Sequence, residues 1–422
     1  MTKRFYPGGL RLAIALVAGG LISVAAAQGT CNSMTVLSWA HFIKASDTKL
    51  QDELTAFGQQ NNISVRLDTV SLNDVPSKMA AAVQSQSGPD VMLLMNYSTA
   101  LYADQMVSLD GVVSQIEQNY SEFLPIGQEA SQINGTWKSV PWFYTPAPAN
   151  VRSDYLKQAG VTAPDTWAQL LQDAKALKAA GHPVGLAISN AGDSNDWLLA
   201  LLASHGVHPI DANGKVSIDA PGTRQALDYV KELAQYMPPD VLGWDGGGNN
   251  TFFLSGLGSW TINPVSVYLS AKSDLPNVAT NMEHTLPPAG PDGRFATTSV
   301  YTLGIAKWSP CQDMAKKLLV YLYQPDNYEA WITASGGYNV PLFKTFPKLE
   351  VWTQDPKMAV PQQMGQFMHM ALWPAPPSLG DKLQQVYDTY VIPTMFGKVV
   401  NGESDDQAIK WASDQLNQIL SQ

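Results

Sequence analysis

From Met34 onward the chain alternates short apolar strands with amphipathic helices, a rhythm that few folds can absorb. Met34–Trp39 is rich in β-formers, and Leu50, Leu54 and Phe57 recur at helical spacing between Thr48 and Gln60. Ile63, Val65 and Leu67 alternate on one face of a strand over Ile63–Val70; Val75–Gln86 returns to helix, and Pro89–Met95 reads as a buried strand. Strand, helix, strand, helix, strand is the signature of an α/β sheet with crossovers. The clearest helix spans Pro164–Ala180. Asp165 or Thr166 can cap its start, Gly181 follows its end, and Trp167, Leu170, Leu171, Ala174 and Leu177 share one face. Another helix near Thr223–Tyr236 stops before Pro238-Pro239. Proline clusters at 146–148, 287–291 and 374–377 mark loops or crossings.

Lys3, Arg4 and Arg11 precede an apolar run from Leu12 to Ala27 that closes on Ala25-Ala26-Ala27-Gln28. These are the three parts of a secretory signal peptide, expected over residues 1–27. At about 16 residues the run is short of the roughly 20 that span a bilayer, and a retained anchor is the alternative. Thr30 before Cys31, with Gln28 two places earlier, makes a poor lipid-attachment signal, so release to the periplasm or exterior is expected. Removing residues 1–27 leaves 23 basic against 36 acidic residues, a balance of −13. That argues against nucleic acid or an anionic membrane surface as partner. The 395 residues that follow exceed one ordinary core and imply two domains. Cys31 and Cys311 are the only cysteines; in an oxidising compartment the pair reads as a disulfide, with two free thiols as the alternative. Each flanks a strand-like segment, Met34–Trp39 and Tyr301–Trp308.

No phosphate-binding glycine loop, HExxH zinc motif or GxSxG elbow occurs. His205 and His208 lack a nearby glutamate, and the run Asp245–Asn250 lacks the alternating ligands of a calcium loop, so neither a metal nor a cofactor is expected. Twelve tryptophans are many. Trp167, Trp331 and Trp411 lie in helical stretches, but Trp39, Trp142, Trp197, Trp244, Trp260 and Trp373 stand where strands give way to polar loops. Ligands of α/β sheets collect at the carboxyl ends of strands. Rings that stack on sugar C–H faces, interleaved with Asn96, Asn195, Asp196 and Asn249, suit a carbohydrate cleft, with core packing the alternative for any single tryptophan.

Several ordered blocks are similar to the extracellular solute-binding proteins, family 1, of ABC importers. Gly88-Pro89-Asp90-Val91 fits the family's G-x-PDV entry, and Asn134–Pro141 its G-x-x-Y-x-x-P approach to a hinge. Asp154–Val161 with Pro164-Asp165-Thr166-Trp167 matches "kdlfkkaGl…PkTWdEl", the most specific block. Phe253-Leu254-Ser255-Gly256, Leu286–Arg294 and Gly336–Pro341 follow in register. The chain departs from the pattern at Ala149-Asn150-Val151-Arg152, at Trp260, and at Pro264-Val265-Ser266, where a tryptophan is common.

The resemblance implies a two-lobe, type II periplasmic-binding-protein fold of α/β class with its ligand cleft between the lobes. It places 31–145 plus 298–325 in an N-terminal lobe and 146–297 plus 326–422 in a C-terminal one. Cys31 and Cys311 then share a lobe. It implies a monomeric, non-enzymatic receptor that closes on a mono- to oligosaccharide and delivers it to the membrane subunits of an ABC permease. A secreted carbohydrate-active enzyme is the competing class, and a polyol or glycerol-phosphate ester the competing ligand. Residues carried over by position are Trp39, His41, Asn96, Tyr97, Trp142 and Tyr144, then Asp196, Trp197, Trp244, Asn249, Trp260, Tyr338 and Trp373.

Overall fold

The computed structural model describes residues 1–2 and 31–422; the expected signal peptide lies almost wholly outside the described residues. Two sheets organise the chain. The larger takes β1 (Ser33–Trp39), β2 (Ser64–Val70), β3 (Val91–Met95) and β4 (Val140–Thr145). The smaller is built from β5 (Ala149–Arg152), β6 (Trp260–Ile262) and β7 (Met282–Thr285), after which β8 (Ser299–Ile305) and β9 (Val340–Pro341) return to the first. The order of the first sheet is β9-β4-β8-β3-β1-β2; that of the second is β6-β5-β7.

Strands β1, β2 and β3 run parallel, as crossover helices α1 (Lys44–Asn61) and α2 (Val75–Ser85) require, while β8 pairs antiparallel with both β3 and β4. Strand β3, Val-Met-Leu-Leu-Met, and strand β4 are buried at every position. Sheets covered on both faces produce such unbroken apolar runs. Helix α1 begins at Lys44, four residues ahead of the expected start. Its first turn is polar, and the apolar period that betrays it begins only at Leu50. Helix α3 (Trp167–Ala179) begins at Trp167, because Thr166 Oγ1 accepts the Gln169 N–H at 3.1 Å and closes the helix there.

Two of the chain's passages between the sheets run side by side. Strand β4 leaves through Pro146-Ala147-Pro148 into β5, and the return runs through Ala296–Thr297 into β8. Thr298 Oγ1 donates to the Thr145 carbonyl at 3.1 Å, fastening the two crossings together. Cys31 and Cys311 form a disulfide that ties the start of β1 to the helix Gln312–Leu322, with their Cα atoms 5.0 Å apart. Among the described residues no helix is long and apolar enough to cross a membrane.

Candidate ligand-binding cleft

A cavity with about 800 Å³ of empty space, part of it open to solvent, lies where the carboxyl ends of the strands meet. Phe42 follows β1, Asn73 and Pro76 follow β2, Met95 ends β3 and Thr145 ends β4; all line it. From the second sheet come Ile262, the last residue of β6, with Asn263 and Pro264. Strand ends expose unpaired backbone and diverging loops, which is why ligands gather there.

Four tyrosines furnish the aromatic walls. Ser299 and Tyr301 lie two apart on β8 and so point to one side of the sheet. Tyr338 reaches in from the Gly336-Gly337 turn, whose positive φ angles of 65° and 78° glycine tolerates best. Tyr387 and Tyr390 come from the end of helix α5 (Gly380–Asp388) and the turn after it. Tyr301 is backed by Phe143 at 4.4 Å and Trp39 at 5.9 Å, both stacked, so the wall is held by the first sheet's core.

The polar side of the cleft is acidic. Asp193 lies in the first turn of α4 (Gly192–Ser204) and Asp196 just after it, one helical step apart and therefore on one face. Asp193 Oδ2 accepts from Asn249 Nδ2 at 2.8 Å, and the same amide donates to Asn263 Oδ1 at 2.8 Å. Asp196 Oδ1 accepts from the Tyr387 hydroxyl at 3.4 Å. Burial raises both carboxyls to about 7. Asn249 counteracts this at Asp193, whereas the Asp193 charge adds to it at Asp196. Asp388, bonded by Gln384 Nε2 at 2.9 Å, is lifted by burial to about 6. Among the described residues no group of histidine, cysteine and acidic side chains could hold a metal ion.

Of the residues singled out in the sequence, Asp196 and Tyr338 line this cavity, and Asn249 stands behind Asp193. The others do not line it, although Trp197 borders an adjoining pocket that shares Ala147, Asp196 and Ile262 with it. Trp39, Trp142, Trp197 and Trp260 are at most 2 % exposed and pack in the core. Trp142 stacks on Trp331 at 4.6 Å, and Trp197 Nε1 donates to the Ala187 carbonyl at 2.7 Å. His41 is buried against Asp47, Nδ1 to Oδ1 2.5 Å. Asn96 Oδ1 accepts the Val300 N–H at 3.1 Å, and the Tyr97 hydroxyl accepts the Leu372 N–H at 3.3 Å, so both brace the fold. Tyr144 is buried within β4, and burial pushes its phenol to about 12. Trp244 lines a neighbouring groove that shares Asn73 with the cleft. Trp373 is half-exposed in a separate cluster, stacked on His369 at 3.9 Å.

Asp193, Tyr301 and Tyr387 were not singled out. A two-residue period linking Ser299 to Tyr301, and the i,i+3 spacing of Asp193 and Asp196 at a helix start, are the signals that point to the first two. Tyr387 shares a helix with the buried Leu383 and Val386, which gives it the sequence signature of a core residue.

Two sheets joined by paired crossings, with a polar and aromatic cleft at their strand ends, define a two-lobe periplasmic binding protein. The chain belongs to the bacterial extracellular solute-binding proteins, whose family profile matches residues 54–360. It is 22 % identical to YcjN of Escherichia coli (strain K12), named as an ABC transporter periplasmic-binding protein, over 97 % of each chain. The maltose-bound Thermotoga maritima MalE3 superimposes with a TM-score of 0.78 at 24 % identity, over 92 % of this chain and 99 % of that one. A sugar transporter protein of Arthrobacter chlorophenolicus A6 with bound laminaribiose gives 0.79 at 18 % identity, with the same coverage.

Proposed function

We propose that this chain is the extracytoplasmic receptor of an ABC importer, that it captures a carbohydrate between its two lobes, and that it presents the closed form to a membrane permease. The observation that carries the reading is the composition of the cleft. Tyr301, Tyr338, Tyr387 and Tyr390 offer faces for sugar C–H groups, while Asp193, Asp196, Asn73 and Asn263 offer partners for hydroxyls. Maltose and laminaribiose in the similar structures are consistent with it. Phosphorylated ligands fit poorly, since no Lys, Arg or His is among the described lining residues.

Paired carboxyls near 7 also belong to the chemistry of a glycoside hydrolase. Here both rise from one helical turn, whereas hydrolysis sets its two carboxyls on either side of the scissile bond. A non-enzymatic receptor accounts better for that placement.

The lobes proposed for closure are 31–145 plus 298–325, and 146–297 plus 326–422. Packing of Trp331 on Trp142, and pairing of Val340 with Tyr144, support extending the first lobe through 341. Hinge movement would centre on Pro146–Pro148 and Ala296–Thr298. The receptor is proposed to act as a monomer in the periplasm or outside the cell.

The test is a thermal-shift screen of mono-, di- and oligosaccharides against ligand-free protein. A ligand at a hundred times its Kd adds about 2.7 kcal/mol to native stability. One sugar group is expected to raise Tm. A response confined to a charged metabolite such as glycerol 3-phosphate, or measurable glycan turnover, would overturn the reading.

A further inference from the structure

The charge inside the cleft is one-sided. Asp193, Asp196 and Asp388 line it, and no cationic side chain stands among the described residues that do. Asp193 Oδ2 and Asp196 Oδ1 have protein donors, and the Thr297 side chain also stands against the Asp196 carboxyl; Asp193 Oδ1 receives none among the described residues. Tyr338 is 3 % exposed and lines the cavity, yet its hydroxyl has no hydrogen-bond partner among the described residues. An unpaired phenol that opens on the cavity beside carboxyl oxygens is a binding feature that waits for a ligand. The surrounding rings matter too, because a tyrosine face attracts a cation through its quadrupole, more strongly where water is excluded. Neutral hydroxyls would satisfy the oxygens but, wherever these carboxyls ionise, would leave the charge without a counter-ion, at a desolvation cost that burial of the ligand increases.

We infer that the cognate carbohydrate carries a basic nitrogen, as an amino sugar or amino-cyclitol does, and that its ammonium group lies between Asp193 and Asp196 against the tyrosine rings. This rests on the carbohydrate-receptor reading and narrows it. Asp193 sits on the first turn of α4, where the positive end of the helix dipole favours negative charge, and Asp196 follows one helical step later on the same face. The ammonium would donate to the two carboxyl groups, and the sugar ring would stack on the walls.

Matched pairs test the inference by titration calorimetry on the ligand-free protein. The pairs are glucosamine with glucose, galactosamine with galactose, and the β1,4-linked glucosamine dimer with cellobiose. N,N′-Diacetylchitobiose is included as the amine-blocked control. The amine member of at least one pair is expected to bind about tenfold or more tightly than its neutral partner, a 1.4 kcal/mol difference. In Asp196→Asn, with Tm close to that of wild type, that preference should fall toward parity, because the amine member loses more affinity than its neutral partner. Should Asp196→Asn lose its fold, Asp193→Asn gives the same reading from the other carboxyl. Equal or tighter binding of the neutral members would overturn the inference and leave the carbohydrate reading intact. Failure of every sugar to bind would overturn both.

Discussion

The tyrosines and tryptophans of this chain divide the labour by size and by polar handle. A tryptophan on a strand has a large area to bury, so Trp39, Trp142 and Trp260 turn inward. Replacing Trp142 by Ala removes its stack on Trp331 and should cost about 3–5 kcal/mol, read as a large fall in Tm by calorimetry. Tyr338→Phe removes only an unpaired hydroxyl. It should leave Tm almost unchanged and weaken sugar affinity by roughly fivefold to tenfold in a titration.

The cleft carboxyls make a pH prediction whose sign is set by burial. Asp193 faces Asp196, Asp245, Asn249 and Tyr338; Asp196 faces Asp193, Tyr387, Thr297 and Tyr301. Their native values near 7 exceed the unfolded value near 3.8, so the native state holds more protons between those limits. Stability of the ligand-free protein should therefore fall as pH rises from about 4 to 7 through these groups. Melting scans at pH 5 and 8 check it: the drop should shrink in Asp193→Asn, and an unchanged drop would show that other groups cause it.

Elements were more legible in the sequence than side-chain roles. Strands β1 to β3 and helices α1 to α3 lie where periodicity puts them, because each carries one apolar face or one buried run. Their boundaries were less so. The polar first turn of α1 has no hydrophobic signal, and α3 is trimmed to Trp167 by the hydroxyl of Thr166. Thr166→Ala should cost about 1 kcal/mol, measurable as a shifted denaturant midpoint. What the pattern could not convey is which end of an element faces the cleft. Tyr301 and Tyr387 sit inside regular elements and look like core, while Asp196 declares itself only as one of many acids. Those roles are created by contacts between residues about 100 to 200 positions apart, such as Thr297 with Asp196 at 2.8 Å and Tyr387 with Asp196.

The disulfide spans 280 positions and joins the first strand to the helix after β8, both around one sheet. Cross-linking so long a loop restricts the unfolded chain, and Cys311→Ser should lower stability by about 2–5 kcal/mol in urea titration. Sugar affinity should survive it under conditions where the variant stays folded, because the cysteines lie outside the cleft lining.

In the proposed complex a carbohydrate sits between the sheets against α4 and Tyr338. The most direct measurement is calorimetric titration of the sugar found by screening, on wild type and on the Asp196→Asn, Tyr338→Phe double variant. A single site in the wild type, and affinity at least about tenfold weaker in a variant that melts normally, is the predicted result. Unchanged affinity in the folded double variant would place the sugar elsewhere and contradict the account.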